Sequence, residues 1–268
     1  MLHNTHVMIK NKTLYIIAGA AGEIGTAFVK QLTDKGNDCV AIIRNKTVSF
    51  KSPHLRSVTC DLTNQLEIEQ RFADISFEDY GRIVYLHTIG VDKFDPRGYP
   101  NIKPMDTIES DIYNTNVNSF KYLYRYCIKR IRDYNLGHDQ NIDLKISIIA
   151  GTSDKHTPFV IESFCEAKFI LRQYIQSAVN LYPGWISGLS INVTSTITES
   201  ALKVRPFADT TYWLTPEDVV NQSINDLIKN DTGYYEIDLM KKSPLFVNDY
   251  YENKVLLYDK WSKETGIK

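Results

Sequence analysis

Apolar positions along this chain fall into short continuous runs separated by longer stretches of helical spacing. Leu14-Tyr15-Ile16-Ile17-Ala18, Cys39-Val40-Ala41-Ile42-Ile43, Ser57-Val58-Thr59-Cys60 (the weakest), Arg82 to His87, Lys145 to Ala150, Ser187 to Val193 and Gly233 to Asp238 all have strand length. Between them the spacing predicts helices over about 25–35, 108–134 and 161–180. Another begins near Thr215, where Thr caps and Pro216 takes the first helical position, and Gly36-Asn37 ends the first helix. Strands that are apolar throughout, rather than alternating, mark a sheet buried on both faces, and intervening helices make it parallel. Right-handed crossovers then wind it doubly. The expectation is a single α/β domain with a doubly wound parallel sheet over 1–240. A C-terminal helical extension over 241–268 follows, with a helix at about 249–265 that offers Val255, Leu256 and Trp261 for docking or for an oligomer contact.

Composition narrows the partners. The 268 residues are 43% hydrophobic and 24% charged, an ordinary globular balance, and the formal net charge is −1. That leaves no basic footprint for nucleic acid or an anionic membrane. The four cysteines form no Cys-x-x-Cys pair and have no histidine cluster beside them, so metal-ligand spacing is absent and reduced thiols in a cytoplasmic setting are expected. No apolar run approaches the ~20 residues of a membrane helix. Met1 to Lys12 lacks the apolar core of a secretory leader.

The candidate chemistry begins at Ala18-Gly19-Ala20-Ala21-Gly22-Glu23-Ile24-Gly25, between the first strand and the first helix. Gly19 permits a tight turn, Gly22 lets backbone approach a pyrophosphate, and Gly25 lets helix and strand pack closely. The backbone from Gly22 through Glu23 and Ile24 to Gly25 then presents free N–H groups and a partial positive charge to phosphates. This is the signature of a Rossmann-type dinucleotide-binding fold. An acid at the end of the second strand would read a ribose 2′-hydroxyl. Here the strand ends Ile43-Arg44-Asn45-Lys46. The expected cofactor is therefore NADP(H) rather than NAD(H), with Arg44 as 2′-phosphate partner and Lys46 as helper.

From about Lys12 to Leu239 the chain resembles the short-chain dehydrogenase/reductase family. Asp61-Leu62 is similar to the family's pair beside the adenine, Asn116 to its helix asparagine, and Lys168 to the lysine of its Tyr-x-x-x-Lys motif. Asn192, Pro216-Glu217-Asp218-Val219, Gly233-Tyr234 and Asp238 follow in the family's order. The resemblance implies that Lys168 binds ribose and takes part in catalysis, that Asn116 serves a proton relay, and that the chain forms a homodimer or homotetramer.

The departures concentrate on proton transfer. Phe164 stands at the tyrosine position of Phe164-Cys165-Glu166-Ala167-Lys168 and has no ionisable group. The serine position falls at Gly151, beside Thr152 and Ser153. The fourth strand ends His87-Thr88-Ile89-Gly90 where the family has Asn-Asn-Ala-Gly, with Gly90 kept among the cofactor residues. Thr194-Ser195-Thr196-Ile197 replaces the family's Pro-Gly. Ser153 and His156 are the candidate replacement proton donors. His87 is either a cofactor contact or a core residue, Glu162 and Glu166 read as helix-surface charge, and the loop from Val91 to Pro104 is a candidate substrate wall. Three functions stay open: an oxidoreductase acting on a small carbonyl or alcohol with an altered proton donor; a non-redox dinucleotide-binding scaffold; and an interaction protein using Tyr122, Tyr124 and Tyr126.

Overall fold

The computed structural model describes residues 12–91, 110–155, 161–242 and 253–266. Its seven strands are β1 (Thr13–Ala18), β2 (Asp38–Ile43), β3 (Leu55–Thr59), β4 (Arg82–His87), β5 (Asp143–Gly151), β6 (Ile186–Val193) and β7 (Gly233–Leu239). They form one sheet in the order β3-β2-β1-β4-β5-β6-β7, every pair parallel. The inner strands are buried at nearly every position; β1, β2 and β4 carry unbroken apolar runs, while β5 and β6 also bury Lys145, Ser147, Ser190 and Asn192. The edge strands β3 and β7 have one neighbour each and carry exposed or half-buried side chains, which is why β3 reads weakly in the sequence.

Alternation along each strand feeds two cores. Tyr15, Ile17, Ala41 and Leu189 pack with Phe28, Val29 and Leu32 of α1 (Glu23–Asp34) and Val219, Ile224 and Leu227 of α7 (Pro216–Ile228). Leu14, Ile16, Tyr85 and Ile146 pack on the other face with α2 (Gln65–Phe72), α4 (Ser119–Gly137) and α5 (Glu162–Leu181). Each fully buried large apolar side chain contributes ~1.5–3 kcal/mol. At the N-terminal edge of the sheet, Arg82 donates to the carbonyls of Ile228 and Lys229, and Lys145 to those of Asp226 and Lys229 and to the Tyr235 hydroxyl. These two buried cations satisfy the carbonyls left open where α7 ends.

The structure departs from the sequence pattern in three places. The helix expected over 108–134 is α3 (Ser110–Tyr113), a π-helical turn (Asn114–Asn118) and then α4, with 108–109 outside the described residues. The extra residue in the π turn aims the Asn116 side chain at Val91, giving that amide two backbone hydrogen bonds. The short helices α2 and α6 (Glu199–Val204) carry too little apolar periodicity to show beforehand, with two buried residues in α2 and none in α6. The terminal helix α8 runs Lys254–Thr265, and the expected turn at 249–252 lies outside the described residues. Of its three expected docking residues only Trp261 is buried; Val255 and Leu256 are exposed. Leu257, one turn before Trp261 on the same helix face, is the buried partner.

Candidate functional site

The strand order reverses at β1, between β2 and β4, so the crevice beyond the C-terminal ends of β1 and β4 is where this topology holds ligands. A cavity of about 620 Å³ opens there. Gly19 lies at φ +78°, and a side chain on it would meet Thr88 Oγ1 at 2.8 Å. A Cβ on Gly25 would collide with the Gly19 carbonyl and lie 2.9 Å from Ala20 Cα. Exposed Gly22 lines the cavity, and a Cβ on it would lie 3.3 Å from the Gly19 carbonyl oxygen. Gly22 gives α1 no side-chain cap, which leaves first-turn N–H groups for an anion. These residues fit a dinucleotide pyrophosphate. Glu23 Oε2 accepts from the Glu199 backbone N–H at 2.7 Å and so joins the glycine turn to the start of α6 across the cavity.

Arg44, Asp61 and Leu62 sit to one side, at and just beyond the C-terminal ends of β2 and β3, and do not line this cavity; Lys46 does. Asp61 accepts from the Thr63 N–H and hydroxyl. Burial works against its ionisation, but those hydrogen bonds and the Arg44 charge hold its carboxyl below the usual range. Arg44 is exposed, while Leu62 is buried in the core.

Phe164 and Lys168 share one face of α5, a turn apart, with Lys168 Nζ 5.3 Å from the Phe164 ring centroid. Lys168 is buried and donates to the Ile89 carbonyl at 2.9 Å. A Cβ on Gly90 would approach its Nζ to 3.4 Å, so the small residue leaves room for the ammonium. Asn116 is fully buried, its amide committed to Val91 N–H and C=O at 2.8 Å each. His87 is a core residue: it is wholly buried, bonds the Tyr85 hydroxyl through Nδ1 and packs edge-on against Phe120. Burial and the nearby Lys168 charge push its pKa well below the usual histidine range, so the ring is neutral.

Ser153 lines the cavity at the end of β5, inside a 3₁₀ turn (Ser153–Lys155). That turn is pinned by charge. Asp154 accepts from the Gly151 N–H and pairs with Arg172 at 2.7 Å. Arg172 also donates to Asn192 Oδ1, and the Asn192 amide donates to Glu236 and Asp238. Lys155 completes the set through Glu236 and Asp238. Burial pushes the Asp154 carboxyl up, opposed by Arg172 and by the Gly151 N–H. His156 and the loop over 92–104 lie outside the described residues.

Sequence reasoning placed Lys168, Ser153, Gly90 and the glycine turn, and the fold brings them round one cavity. It missed the far wall. There Arg205 lies between Trp213 and Trp261, 4.4 Å from each ring centroid, and is paired with Glu264 at 2.6 Å. Ile161 and Phe164 pack with Trp261, Tyr258 and Val204, closing this wall against α8. The available signal was two tryptophans flanking charged residues late in the chain. The three tyrosines of α4 do not share a face: Tyr124 is buried and bonds the Tyr174 carbonyl, and Tyr126 packs against Phe72 and Phe77.

Residues 15–79 match the model of the NAD dependent epimerase/dehydratase family. No curated protein sequence matches the chain. Among solved structures it is similar to a 3-ketoacyl-(acyl-carrier-protein) reductase from Brucella melitensis complexed with NADH, at 16% identity and TM-score 0.64, covering 86% of this chain and 98% of that one. It is similar to a short chain dehydrogenase from Burkholderia cenocepacia J2315 in complex with NADP, at 12% identity and TM-score 0.68, covering 92% and 98%. It is also similar to the NADPH-dependent 3-quinuclidinone reductase of Rhodotorula rubra, at 15% identity and TM-score 0.61, covering 86% and 91%. The chain has the fold of short-chain dehydrogenases and reductases.

Proposed function

We propose that this chain, built on the fold of the short-chain dehydrogenases and reductases, binds NADP(H) and reduces or oxidises a small carbonyl or alcohol. The observation that carries the reading is the glycine turn at the sheet's switch point, open to a cavity that Lys168 also lines. The preference for NADP(H) rests on Arg44 and Lys46, with no acid at the end of β2. A bound nicotinamide would supply or accept the hydride. Lys168 holds the ribose side, and the Ser153 hydroxyl faces the reacting oxygen. Phe164 provides apolar surface in place of an acid, so the proton comes from Ser153 or from water. A positioned acid or base contributes ~10²–10⁴-fold, so turnover is slow. The test is NADPH consumption over a panel of short aliphatic and aromatic ketones and aldehydes. Consumption of NADPH with one of them supports the reading. Binding of NADPH with no consumption across the panel favours the second reading, a non-redox dinucleotide-binding scaffold, which the phenylalanine at 164 also motivates.

A further inference from the structure

The far wall of the cavity holds two cations for one buried carboxylate. Glu264 pairs with Arg205 through Oε2 at 2.6 Å, and its Oε1 lies 2.5 Å from Lys260 Nζ. Arg205 is committed at every nitrogen: Nε and Nη2 reach Glu264, Nη1 donates to Ser195 Oγ, and two tryptophan rings lie against its planes. Lys260 is not. An ammonium has three donors, and this one uses a single bond, to Glu264. Its side chain is 23% exposed and lines the cavity. Asp209, the other acid on this wall, is exposed, spends Oδ1 on Thr211 and makes no ion pair with Lys260.

Two hydroxyls of residues lining the same cavity are also open, and Ser195 is the one in contact with these cations, through Arg205. Ser195 Oγ accepts from Arg205, which leaves its own hydrogen to donate into the cavity it lines. Thr194 is buried, lines the same cavity, and its hydroxyl has no partner. A buried donor left unmade is costly unless something occupies it.

We infer that this wall is a subsite for the carboxylate of a small oxo- or hydroxy-acid, with Lys260 Nζ as its ionic partner and the Ser195 and Thr194 hydroxyls as neutral donors. The inference rests on reading the cavity as a dinucleotide and substrate site. A single ammonium with donors to spare matches a monoanion. A phosphate dianion would be left short of charge, and the guanidinium fork that suits phosphate is already spent on Glu264. Burial, reinforced by the Arg205 charge, lowers the Lys260 pKa against the pull of Glu264, so a second anion at this ammonium is favoured.

Trp213 and Trp261, at this wall, give the readout. Intrinsic fluorescence of the intact chain is titrated with 2-oxobutanoate, acetoacetate and levulinate, each beside its methyl ester, and with inorganic phosphate. At least one acid binds about tenfold or more tightly than its ester, a difference of ~1.4 kcal/mol. Lys260→Gln removes that preference, whereas Lys260→Arg keeps it, and both variants leave Glu264 paired with Arg205. The inference is overturned if no acid binds, if acids and esters bind alike, if phosphate binds more tightly than every acid, or if Lys260→Gln binds the acids as the parent does. NADPH titration of the same samples separates the two readings. An acid preference without NADPH binding removes the oxidoreductase reading and keeps the anion subsite. NADPH binding without an acid preference removes only the subsite.

Discussion

On the β1–β2 side of the crevice the polar surface is backbone: glycines and uncapped N–H groups at the start of one helix, supplied by seven consecutive residues from Gly19 to Gly25. On the β5–β6 side Ser153 lines the crevice and its turn is held from beneath by side chains: Asp154, Arg172, Asn192, Glu236 and Asp238, drawn from four elements. A backbone cradle asks little of residue type beyond glycine, so it survives wide divergence. A side-chain site depends on each group, and here the one group that would carry a proton is a phenylalanine. A chain can thus retain the means to hold a cofactor while altering the means to move a proton.

The largest expected effect breaks this contrast directly. Phe164→Tyr places a phenol beside Lys168 Nζ and raises turnover by ~10²–10⁴-fold, with NADPH affinity changed less than about threefold. Steady-state rates of parent and variant on one accepted carbonyl check it, and an unchanged rate means that the side of the crevice near β5 differs by more than one residue. Next is the ionic floor. Arg172→Met leaves Asp154 buried and unpaired at a cost of ~3–5 kcal/mol, measured by urea unfolding. Replacing Asp154 by Leu in the same chain recovers part of the loss, and a cost below about 1 kcal/mol would show that the network is solvated.

The glycine turn sharpens the comparison from the other side. Gly25→Ala costs ~1–3 kcal/mol, because the added methyl meets backbone that must move. Gly22→Ala adds a methyl at the cavity's lining, 3.3 Å from the Gly19 carbonyl oxygen, a contact that a small shift relieves, so it weakens NADPH binding about tenfold or more with stability changed by about 1 kcal/mol. The smallest effect lies at the opposite edge of the sheet. Burial lowers the Lys145 pKa to about 8, so above that pH the folded chain binds fewer protons there than the unfolded chain. Stability from this site therefore rises between about pH 8 and the usual lysine value. The difference between parent and Lys145→Met, on the order of 1 kcal/mol per pH unit across that window, cancels the opposing titration of the buried tyrosines and cysteines.

The same division explains what could be read beforehand. Three of the seven strands, β1, β2 and β4, are continuous apolar runs whose type needs no tertiary information, and Thr215-Pro216 with Asp218 forms a capping box. The π turn at Asn116 was invisible, because its cause is a tertiary contact with Val91, twenty-five residues away. The phosphate cradle was legible because it is local. The Asp154–Arg172 pair and the Arg205–Glu264 pair were not, because charged residues eighteen and fifty-nine positions apart carry no mark of being partners. Strand position favours Arg44 over Lys46 as the phosphate partner, and the structure lines the cavity with Lys46.

The most direct test is a fluorescence titration of the purified chain with NADPH and, separately, with NADH. Saturable binding of NADPH, about tenfold or more tighter than NADH and weakened about tenfold or more in Gly22→Ala, is the predicted result. Binding of neither dinucleotide would contradict it and reduce the glycine turn to a close-packed strand–helix junction.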